Sequence, residues 1–337
     1  MDWTKSYSSE WRIFRVNRRT WADAEKLPNV ISASITKTGD GDMIESGSFQ
    51  ITGSFEPDYY RIVLTAEQGG EVERVDVATL LFNETGGKYD YGVTTTEVNG
   101  SSVLYPASTE AVLVGEYAPA GVDGAEYAGK LLADSINAPV EVEGSFTLNE
   151  NVVHQLGSTV LSAVWAVLNA GNFIIQIDGR GVVHIRPRPT EPALIIDSAS
   201  MGQLENGISH TADTSDIPNR YVVIDGIDIT TAENNNAEST VSSVARGYYI
   251  DVVDTSPTPI NGEPYKVYAD RMLKELSVLK TVYSYSREFA PNVYPYSMVK
   301  ATINGLNGNL TVQSQDITCD KGILITEKSA KETKLYE

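Results

Sequence analysis

The hydrophobic pattern is clearest between residues 147 and 189, where the period of a helix gives way to that of two strands. In the first half, apolar residues recur at steps of three and four, which predicts one buried helix face. These residues are Val153, Leu156, Val160, Val164 and Val167. Thr147 and Glu150 have the spacing of a capping box and predict the helix start. Gly171 can end the helix in the left-handed conformation.

A β-hairpin is predicted directly after that helix. Phe173-Ile-Ile-Gln-Ile and Val182-Val-His-Ile-Arg are β-prone runs. The turn between them is Asp178-Gly-Arg-Gly181, where a hairpin needs positive φ angles. By periodicity alone, the helix and hairpin form an ordinary α+β packing unit. The unit matters because it interrupts a chain whose other segments mostly have the pattern of strands.

Residues 1–104 alternate as short strands joined by Gly and Asp turns, which favours a small barrel or sandwich. The run Ile31-Ser-Ala-Ser-Ile-Thr alternates clearly, and Gln68-Gly-Gly70 predicts a hairpin turn. From about 105 to 205 the pattern changes, with a short helix over 125–136 ahead of the longer helix and its hairpin.

The β pattern returns after Asn219, over residues 220–230, and residues 241–253 predict two more β segments. A second clear helix opens at Pro264, where a missing N–H costs nothing, and its apolar stripe extends to Leu279. The whole pattern predicts a mainly β fold with α+β insertions. Its predicted parts are a first β domain at 1–104, an α/β insertion at 105–205, a second β domain at 206–253 and 281–337, and a helical insertion at 254–280.

Charge narrows the range of partners. The chain of 337 residues has a net charge of −19 and an isoelectric point of about 4.6. Specific nucleic-acid binding is disfavoured, because phosphate contacts need Lys and Arg to release counterions. Two interpretations of the acidic balance stay open. The surface keeps the protein soluble, or it repels a polyanion, as the wall of a channel for DNA would.

The sequence contains no motif of catalysis or cofactor binding, such as G-x-S-x-G, H-E-x-x-H or a P-loop. His154, His184 and His210 are widely spaced, which favours structural roles for all three. The acidic segment 40–45 lacks the full pattern of a calcium loop and favours a turn. We therefore expect no catalytic, cofactor-binding or metal-ligating residues.

Cys319 is the single cysteine, which excludes an intrachain disulfide and favours a small apolar role. No apolar run approaches the roughly 20 residues of a membrane helix, and the N-terminus lacks a Sec-type signal pattern. A solvated strand edge is the favoured interpretation of the one basic cluster, with an anchor for an acidic partner as the alternative. The cluster comprises Arg12, Arg15, Arg18 and Arg19, interleaved with Trp11, Phe14 and Trp21.

Eight stretches of the chain carry a resemblance to a known family. They are Asp42-Met-Ile-Glu-Ser-Gly-Ser-Phe-Gln-Ile, Tyr60-Arg-Ile-Val-Leu-Thr-Ala, Val77-Ala-Thr-Leu-Leu, Val152 to Phe173, Ile175-Gln-Ile-Asp-Gly-Arg-Gly-Val-Val-His-Ile-Arg-Pro, Pro218-Asn-Arg-Tyr-Val-Val-Ile-Asp-Gly, Ala269-Asp-Arg-Met-Leu-Lys-Glu-Leu and Pro291-Asn-Val-Tyr-Pro. In this order they resemble the baseplate or tail-tip hub proteins of tailed bacteriophages, which also occur in related contractile injection systems.

The resemblance implies two small β-barrel domains per chain, each associated with a helix-containing insertion. It implies a homotrimer whose six barrels form a ring, a symmetry adaptor that joins the six-fold tail tube to a three-fold spike or tip. The expected partners are the tail tube or a distal tail protein above, a spike, tip or fibre protein below, and the tape-measure protein in the lumen. The ring would form part of the conduit for DNA ejection, without specific nucleic-acid binding or membrane insertion.

The resemblance also implies a structural protein rather than an enzyme, with no cofactor. It would be located in the virion, at the tail baseplate or tail tip, after synthesis in the host bacterial cytoplasm. Some hubs carry a C-terminal peptidase or fibre region that this chain lacks, so any wall-degrading activity is expected on a partner chain.

Two other classes of function remain as alternatives. A carbohydrate-binding adhesin module of a tail or cell surface would stack its Trp and Tyr rings on sugars, and the chain has 18 tyrosines. The apolar helix faces need burial, which suits a packed ring better. An enzyme such as a glycan hydrolase is the third class. The 45 acidic residues make paired carboxylates uninformative for it.

Overall fold

Strands form most of the protein, and the predicted mainly β class with α+β insertions is confirmed. None of the described helices is long and apolar enough to cross a membrane. The computed structural model describes residues 3, 7–27, 30–39, 44–53, 55–90, 92–112, 115, 117–198, 204–205, 207–255, 257, 259, 263–303, 305–319 and 323–336.

The elements of the described residues are as follows. The strands are β1 (Ser8–Val16), β2 (Asp23–Lys26), β3 (Val30–Thr38), β4 (Glu45–Thr52), β5 (Asp58–Gln68), β6 (Glu71–Asp90), β7 (Val93–Ser102), β8 (Tyr117–Ala118), β9 (Val140–Val142), β10 (Val152–Val153), β11 (Phe173–Ile177), β12 (Val183–Pro187), β13 (Pro192–Ile196), β14 (Ser209–Ala212), β15 (Arg220–Asp225), β16 (Asp228–Glu233), β17 (Asp251–Asp254), β18 (Val278–Glu288), β19 (Met298–Ile303), β20 (Leu306–Cys319) and β21 (Ile323–Lys334). The helices are α1 (Tyr105–Thr109), α2 (Gly124–Ala133), α3 (Val160–Ala170), α4 (Ser243–Arg246) and α5 (Tyr265–Leu276).

The chain divides into two compact units. The first contains Met1–Ile208 and Ser284–Ser329, and the second contains Ser209–Tyr283 and Ala330–Glu337. Strands β1 to β13, β19 and β20 lie in the first unit with α1 to α3. Strands β14 to β17 lie in the second unit with α4 and α5.

The largest sheet is open rather than closed. Its strand order is β14-β18-β21-β20-β3-β4-β7-β6-β5-β1-β2, and β19 joins β13 to β20. Both ends of this order are strands of four residues with mostly exposed side chains, a common form of sheet edge. The described strand pairs therefore do not close into the two barrels that the resemblance implies.

One face of strands β3, β4, β6 and β7 is buried around aromatic rings. The rings of Phe49 and Phe82 meet edge to face, with 4.6 Å between their centroids. Gly100 lies opposite Phe82 in the β6–β7 register, and a Cβ there would lie 2.6 Å from the Phe82 ring. A glycine is required at this position because the ring occupies the place of a side chain.

The α/β insertion packs α2 and α3 on the sheet β11-β12-β9. The predicted hairpin is confirmed, since β11 and β12 pair antiparallel from Phe173 opposite Pro187 to Ile177 opposite Val183. Its turn contains Gly181 at φ 74°, the positive value that the sequence predicts. Residues 124–133 form the short helix expected over 125–136.

Helix α3 begins later than predicted. Its N-cap is Thr159, whose side chain accepts a hydrogen bond from Ser162 N, so the predicted capping box at Thr147 and Glu150 is wrong. The preceding residues instead form β10, which pairs with β8, and this pairing leaves Val153 and Leu156 exposed.

The predicted helix end is wrong in its backbone geometry. Gly171 has φ −105°, and the left-handed residue is Asn172, at φ 55°. Asparagine tolerates this conformation better than most residues with a side chain. Gly171 is needed for a different reason, because a Cβ there would lie 2.4 Å from the Phe146 ring.

The second unit has a small sheet of its own, with the order β16-β15-β17. The β15–β16 hairpin agrees with the strands predicted over 220–230. Residues 241–253, predicted as two β segments, form α4 followed by β17. Helix α5 covers one face of the sheet, where Tyr268, Ala269 and Leu273 pack on Tyr221 and Val223.

Candidate functional site

The tip of the β11–β12 hairpin is bound through its main chain to the first β segment. Thr79 Oγ1 donates a hydrogen bond to the Gly179 carbonyl at 3.1 Å. Trp21 Nε1 and Arg61 Nη2 both donate to the Arg180 carbonyl, at 2.8 and 3.1 Å. These three donors satisfy the carbonyls of the turn and join the α/β insertion to β5, to β6 and to the segment between β1 and β2.

Two glycines make this close approach possible. A Cβ on Gly179 would lie 1.6 Å from the Asp76 carbonyl oxygen, a distance that no side chain can accept. A Cβ on Gly181 would lie 2.7 Å from the Thr79 Cβ, and its φ of 74° is itself unfavourable for other residues. The sequence indicates the turn. It does not indicate that residues 76–79 leave no room for side chains at these two positions, because only the tertiary fold brings them together.

We call the contacts of residues 179–181 with Trp21, Arg61 and Thr79 the joint, and Arg61 lies at its centre. Its side chain is 2% exposed, its Nη1 donates to Asp23 Oδ1 at 2.7 Å, and its Nη2 also donates to the Trp21 carbonyl. Trp21 is buried with φ 55°, a strained value for a bulky residue. Such strain persists only where surrounding contacts over-determine the backbone, and here the Arg61 and Arg180 contacts do so.

His184 lies beside the joint, among carboxylates. Its Nδ1 is 3.0 Å from Glu143 Oε1, and its Nε2 is 3.5 Å from Asp178 Oδ2. The Asp178 contact raises the pKa of His184, despite partial burial, and the glutamates act in the same direction. Burial opposes ionisation of Asp178, but the contacts with His184 and the Val182 N–H lower its pKa overall.

A cleft of about 570 Å³ opens next to His184, between the hairpin and the loop before β19. Its walls also include the segment that leads into β13. The lining residues are Gln176, Asp178, His184, Arg186, Pro189, Thr190, Glu191, Pro192, Ala193, Asn292, Tyr294 and Ser297.

A polar face covers the other side of strands β20, β3, β4 and β7, opposite the aromatic core. Cross-strand partners share a face of a sheet, and Thr318, Ser34, Ser48 and Asn99 form one such row. We call the whole set the polar face, and none of its members is Lys or Arg. It consists of Ser32, Ser34, Thr36, Thr38, Ser46, Ser48, Gln50, Glu97, Asn99, Ser101, Ser314, Asp316 and Thr318.

Hydrogen bonds between neighbouring strands hold the side chains of the polar face. The Ser34 and Ser48 hydroxyl oxygens are 3.0 Å apart, and Thr36 Oγ1 donates to Asp316 Oδ1 at 2.8 Å. The only ionisable members are the two acids Glu97 and Asp316, both exposed. Sequence reasoning missed this surface because β7 and β20 are far along the chain from the neighbouring strands β3 and β4. The alternation after Ile31 was its only local signal.

The basic cluster is engaged within the protein. Arg12 pairs with Glu10, and both Arg15 and Arg18 pair with Asp58 at 2.7 Å. Burial alone would raise the pKa of Asp58, but its hydrogen bonds with Arg18, the Tyr59 N–H and Arg15 lower it overall. Arg12 and Arg15 lie in β1, which pairs with β5 along its length and with β2 over residues 14–16, so Arg15 does not lie at a sheet edge as the favoured interpretation expects.

The structure places the three histidines in different surroundings. His154 is buried after β10, not on the first turn of a helix, and its Nε2 lies 3.2 Å from the Tyr127 hydroxyl. His184 lies in β12, and His210 is exposed in β14. Within the described part of the chain, no group of three His, Cys, Asp or Glu side chains could hold a metal ion.

The remaining sequence candidates are structural. Cys319 is buried, and this burial raises the pKa of its thiol to about 12. Residues 40–43 of the acidic segment lie outside the described residues. Glu45 is buried against Lys37, with 2.7 Å between Oε1 and Nζ, and burial raises the pKa of its carboxyl.

No family model matches the chain, and no curated protein matches it. Solved structures match it along nearly their whole length. The tail protein from Neisseria meningitidis is 11% identical, with a TM-score of 0.69, over 96% of this chain and 97% of that one.

Two prophage proteins have the same architecture. The 43 kDa tail protein of prophage MuSo2 from Shewanella oneidensis is 13% identical, with a TM-score of 0.65, over 96% and 98% of the two chains. The prophage tail protein gp18 from Listeria monocytogenes is 12% identical, with a TM-score of 0.52, over 95% and 94%. The chain therefore has the fold of tail proteins, in agreement with the resemblance that its sequence carries.

Proposed function

We propose that this protein is a structural phage tail hub, a trimeric adaptor between the six-fold tail tube and a three-fold spike or tip. The observation that carries the proposal is the whole-length fold match to the Neisseria tail protein, with 96% and 97% of the two chains covered. A match over nearly all of both chains supports a shared role in assembly better than one shared module would.

The polar face supports a position beside passing DNA. A surface of hydroxyl and amide groups with two carboxylates offers no cation to a phosphate backbone, so DNA gains nothing by binding to it. In the proposed ring, this face lines the lumen and forms part of the conduit for DNA ejection. The net charge of −19 also disfavours binding of DNA, because it repels the phosphate backbone.

The finer assignments belong to the same proposal. The partners are two further copies of the chain, the tail tube or a distal tail protein above, a spike, tip or fibre protein below, and the tape-measure protein in the lumen. The location is the tail baseplate or tail tip of the virion, and the role is not enzymatic. The predicted domains at 1–104, 105–205, 206–253 with 281–337, and 254–280 remain predictions.

The first test is the solution mass of the chain by light scattering, with negative-stain class averages of the same peak. The proposal expects a species of three times the 36.7 kDa chain mass, seen as a ring with six lobes. A stable dimer, or a trimer without a central channel, would contradict it. If the free chain is monomeric, the same measurement is repeated after the tail tube protein is added, and failure to form a ring there also counts against the proposal.

A further inference from the structure

The cleft beside His184 has the dimensions of a ligand site. Its volume of about 570 Å³ lies within the range of roughly 300–1,000 Å³ that holds small molecules in proteins. It lies within the first unit and away from the polar face, which belongs to strands β3, β4, β7 and β20. A ligand there would be a separate activity from the proposed role in the tail.

The wall formed by residues 290–297 has an unusual backbone. Asn292 has φ 63° and Tyr296 has φ 68°, and the left-handed conformation is unfavourable for a tyrosine. The loop is held by hydrogen bonds from Tyr296 N to the Val312 carbonyl at 2.8 Å and from Gln176 Nε2 to the Pro295 carbonyl at 2.9 Å. The wall is therefore fixed before any ligand arrives, and strain of this kind is characteristic of binding sites.

The cleft is lined by charged groups of both signs. Asp178 and Glu191 supply carboxylates, while Arg186 supplies a guanidinium and His184 an imidazole that contacts carboxylates. An anionic ligand would meet Asp178 and Glu191, and a cationic ligand would meet Arg186. A neutral ligand with many hydroxyl groups meets no such opposition, because each hydroxyl both donates and accepts hydrogen bonds.

Apolar surface lies among these polar groups. Pro189, Pro192 and the ring of Tyr294 line the same cleft, and Asn292 and Thr190 add an amide and a hydroxyl. A sugar has the matching chemistry, with C–H faces for the prolines and the ring and hydroxyls for the polar groups. We propose that this cleft binds a neutral saccharide, held by Asp178, Arg186 and Asn292.

The test begins with the full chain on an array of neutral and acidic oligosaccharides, followed by calorimetry with the strongest neutral binder. Two tryptophan variants then decide the location. Ala193→Trp fills the cleft from an exposed position, and Ala237→Trp places the same side chain on an exposed loop of the second unit. We expect at least a tenfold loss of affinity for Ala193→Trp and no loss for Ala237→Trp.

A third variant tests the hydrogen bonds without filling space. Asn292→Gly keeps the left-handed backbone, which glycine adopts readily, and removes the amide. We expect a five- to tenfold weaker affinity with an unchanged melting temperature. The proposal is overturned if no neutral saccharide binds, if acidic saccharides bind more tightly than neutral ones, or if the two tryptophan variants bind equally well. None of these results depends on whether the chain forms a ring.

Discussion

Gly179 allows the hairpin tip to lie directly against strand β6, so a side chain at this position should destabilise the protein. Gly179→Ala would place a Cβ 1.6 Å from the Asp76 carbonyl oxygen and force the hairpin away from the sheet. We expect the free energy of unfolding to fall by about 3 kcal/mol, at the upper end of the cost of overpacking. Urea unfolding followed by tryptophan fluorescence measures it, because Trp21 lies in the joint.

The matched control is Gly86→Ala in β6, where a Cβ would meet no atom within 4 Å. We expect a change there of less than about 1 kcal/mol. Equal losses in the two variants would show that the tip is not tightly bound to the sheet.

The contact between His184 and Asp178 predicts a pH dependence of stability. The pKa of His184 is raised in the folded protein, so this stabilisation is complete below the unfolded value near 6.5 and is lost as pH rises through the folded value. The pKa of Asp178 is lowered, so its share is lost only in acid, as pH falls through that lowered value. We expect the free energy of unfolding to drop by about 1 kcal/mol between about pH 6 and pH 8.5.

His184→Gln should remove most of this drop, and the comparison is made by urea unfolding at the two pH values. The control is His210→Gln, which changes an exposed imidazole in β14 and should leave the drop intact. A drop of the same size in both variants would assign the pH dependence to other groups.

At the scale of elements, the sequence pattern and the structure place the start of α3 at different residues, Thr147 and Thr159. Thr159→Ala removes the side chain that accepts from Ser162 N and should cost about 1 kcal/mol. Glu150→Ala removes the predicted capping-box partner, which is exposed and lies outside α3, and should change stability by less than about 0.5 kcal/mol. Chemical denaturation of both variants decides between the two starts, and a larger loss for Glu150→Ala would favour the earlier one.

The sequence predicts elements well where all their signals are local. The hairpin of residues 173–187 has its β-prone runs and its glycine turn within one short segment, and its register follows. The start of α3 fails because Val152 and Val153 pair with Tyr117 and Ala118, and this distant strand competes with the helix period. The prediction of closed barrels depends in the same way on distant pairing, because a sheet closes only when its two edge strands pair with each other. The described edge strands β14 and β2 do not pair.

The candidate surfaces were less predictable than the elements. The cleft residues Asp178 and His184 are visible in the hairpin, but their opposite wall comes from residues 292–297. The polar face combines Ser34, Ser48 and Asn99 with Thr318, and only the fold places them in one row. A pattern of alternation indicates which side chains share a face of one strand, but it does not indicate which strands lie side by side.

At the scale of the whole molecule, the polar face predicts how a tail would respond to added charge. Ser48→Lys with Thr318→Lys places two cations on the polar face, two strands and about 10 Å apart. If this face lines the conduit, phosphates would bind there, and DNA ejection from assembled particles should slow. Raising the salt concentration should restore the rate, because the new contacts are electrostatic.

The control pair, Asn235→Lys with Thr255→Lys, adds the same charge at exposed positions of the second unit. Ejection kinetics should be normal for this pair, as measured by the fluorescence of a dye that binds to the ejected DNA. If both pairs slow ejection equally, or if neither does, the polar face does not line the path of the DNA.

The joint at the hairpin tip has a consequence for how such a protein changes over generations. Trp21, Arg61 and Thr79 donate to main-chain carbonyl groups, which every amino acid has, so these three hydrogen bonds do not depend on the side chain at position 180. The joint requires glycine at positions 179 and 181 and the three hydrogen-bond donors. The other residues of the turn can change without loss of these contacts. Such a joint is compatible with wide sequence divergence, and this chain shares its fold with the tail protein from Neisseria meningitidis at 11% identity.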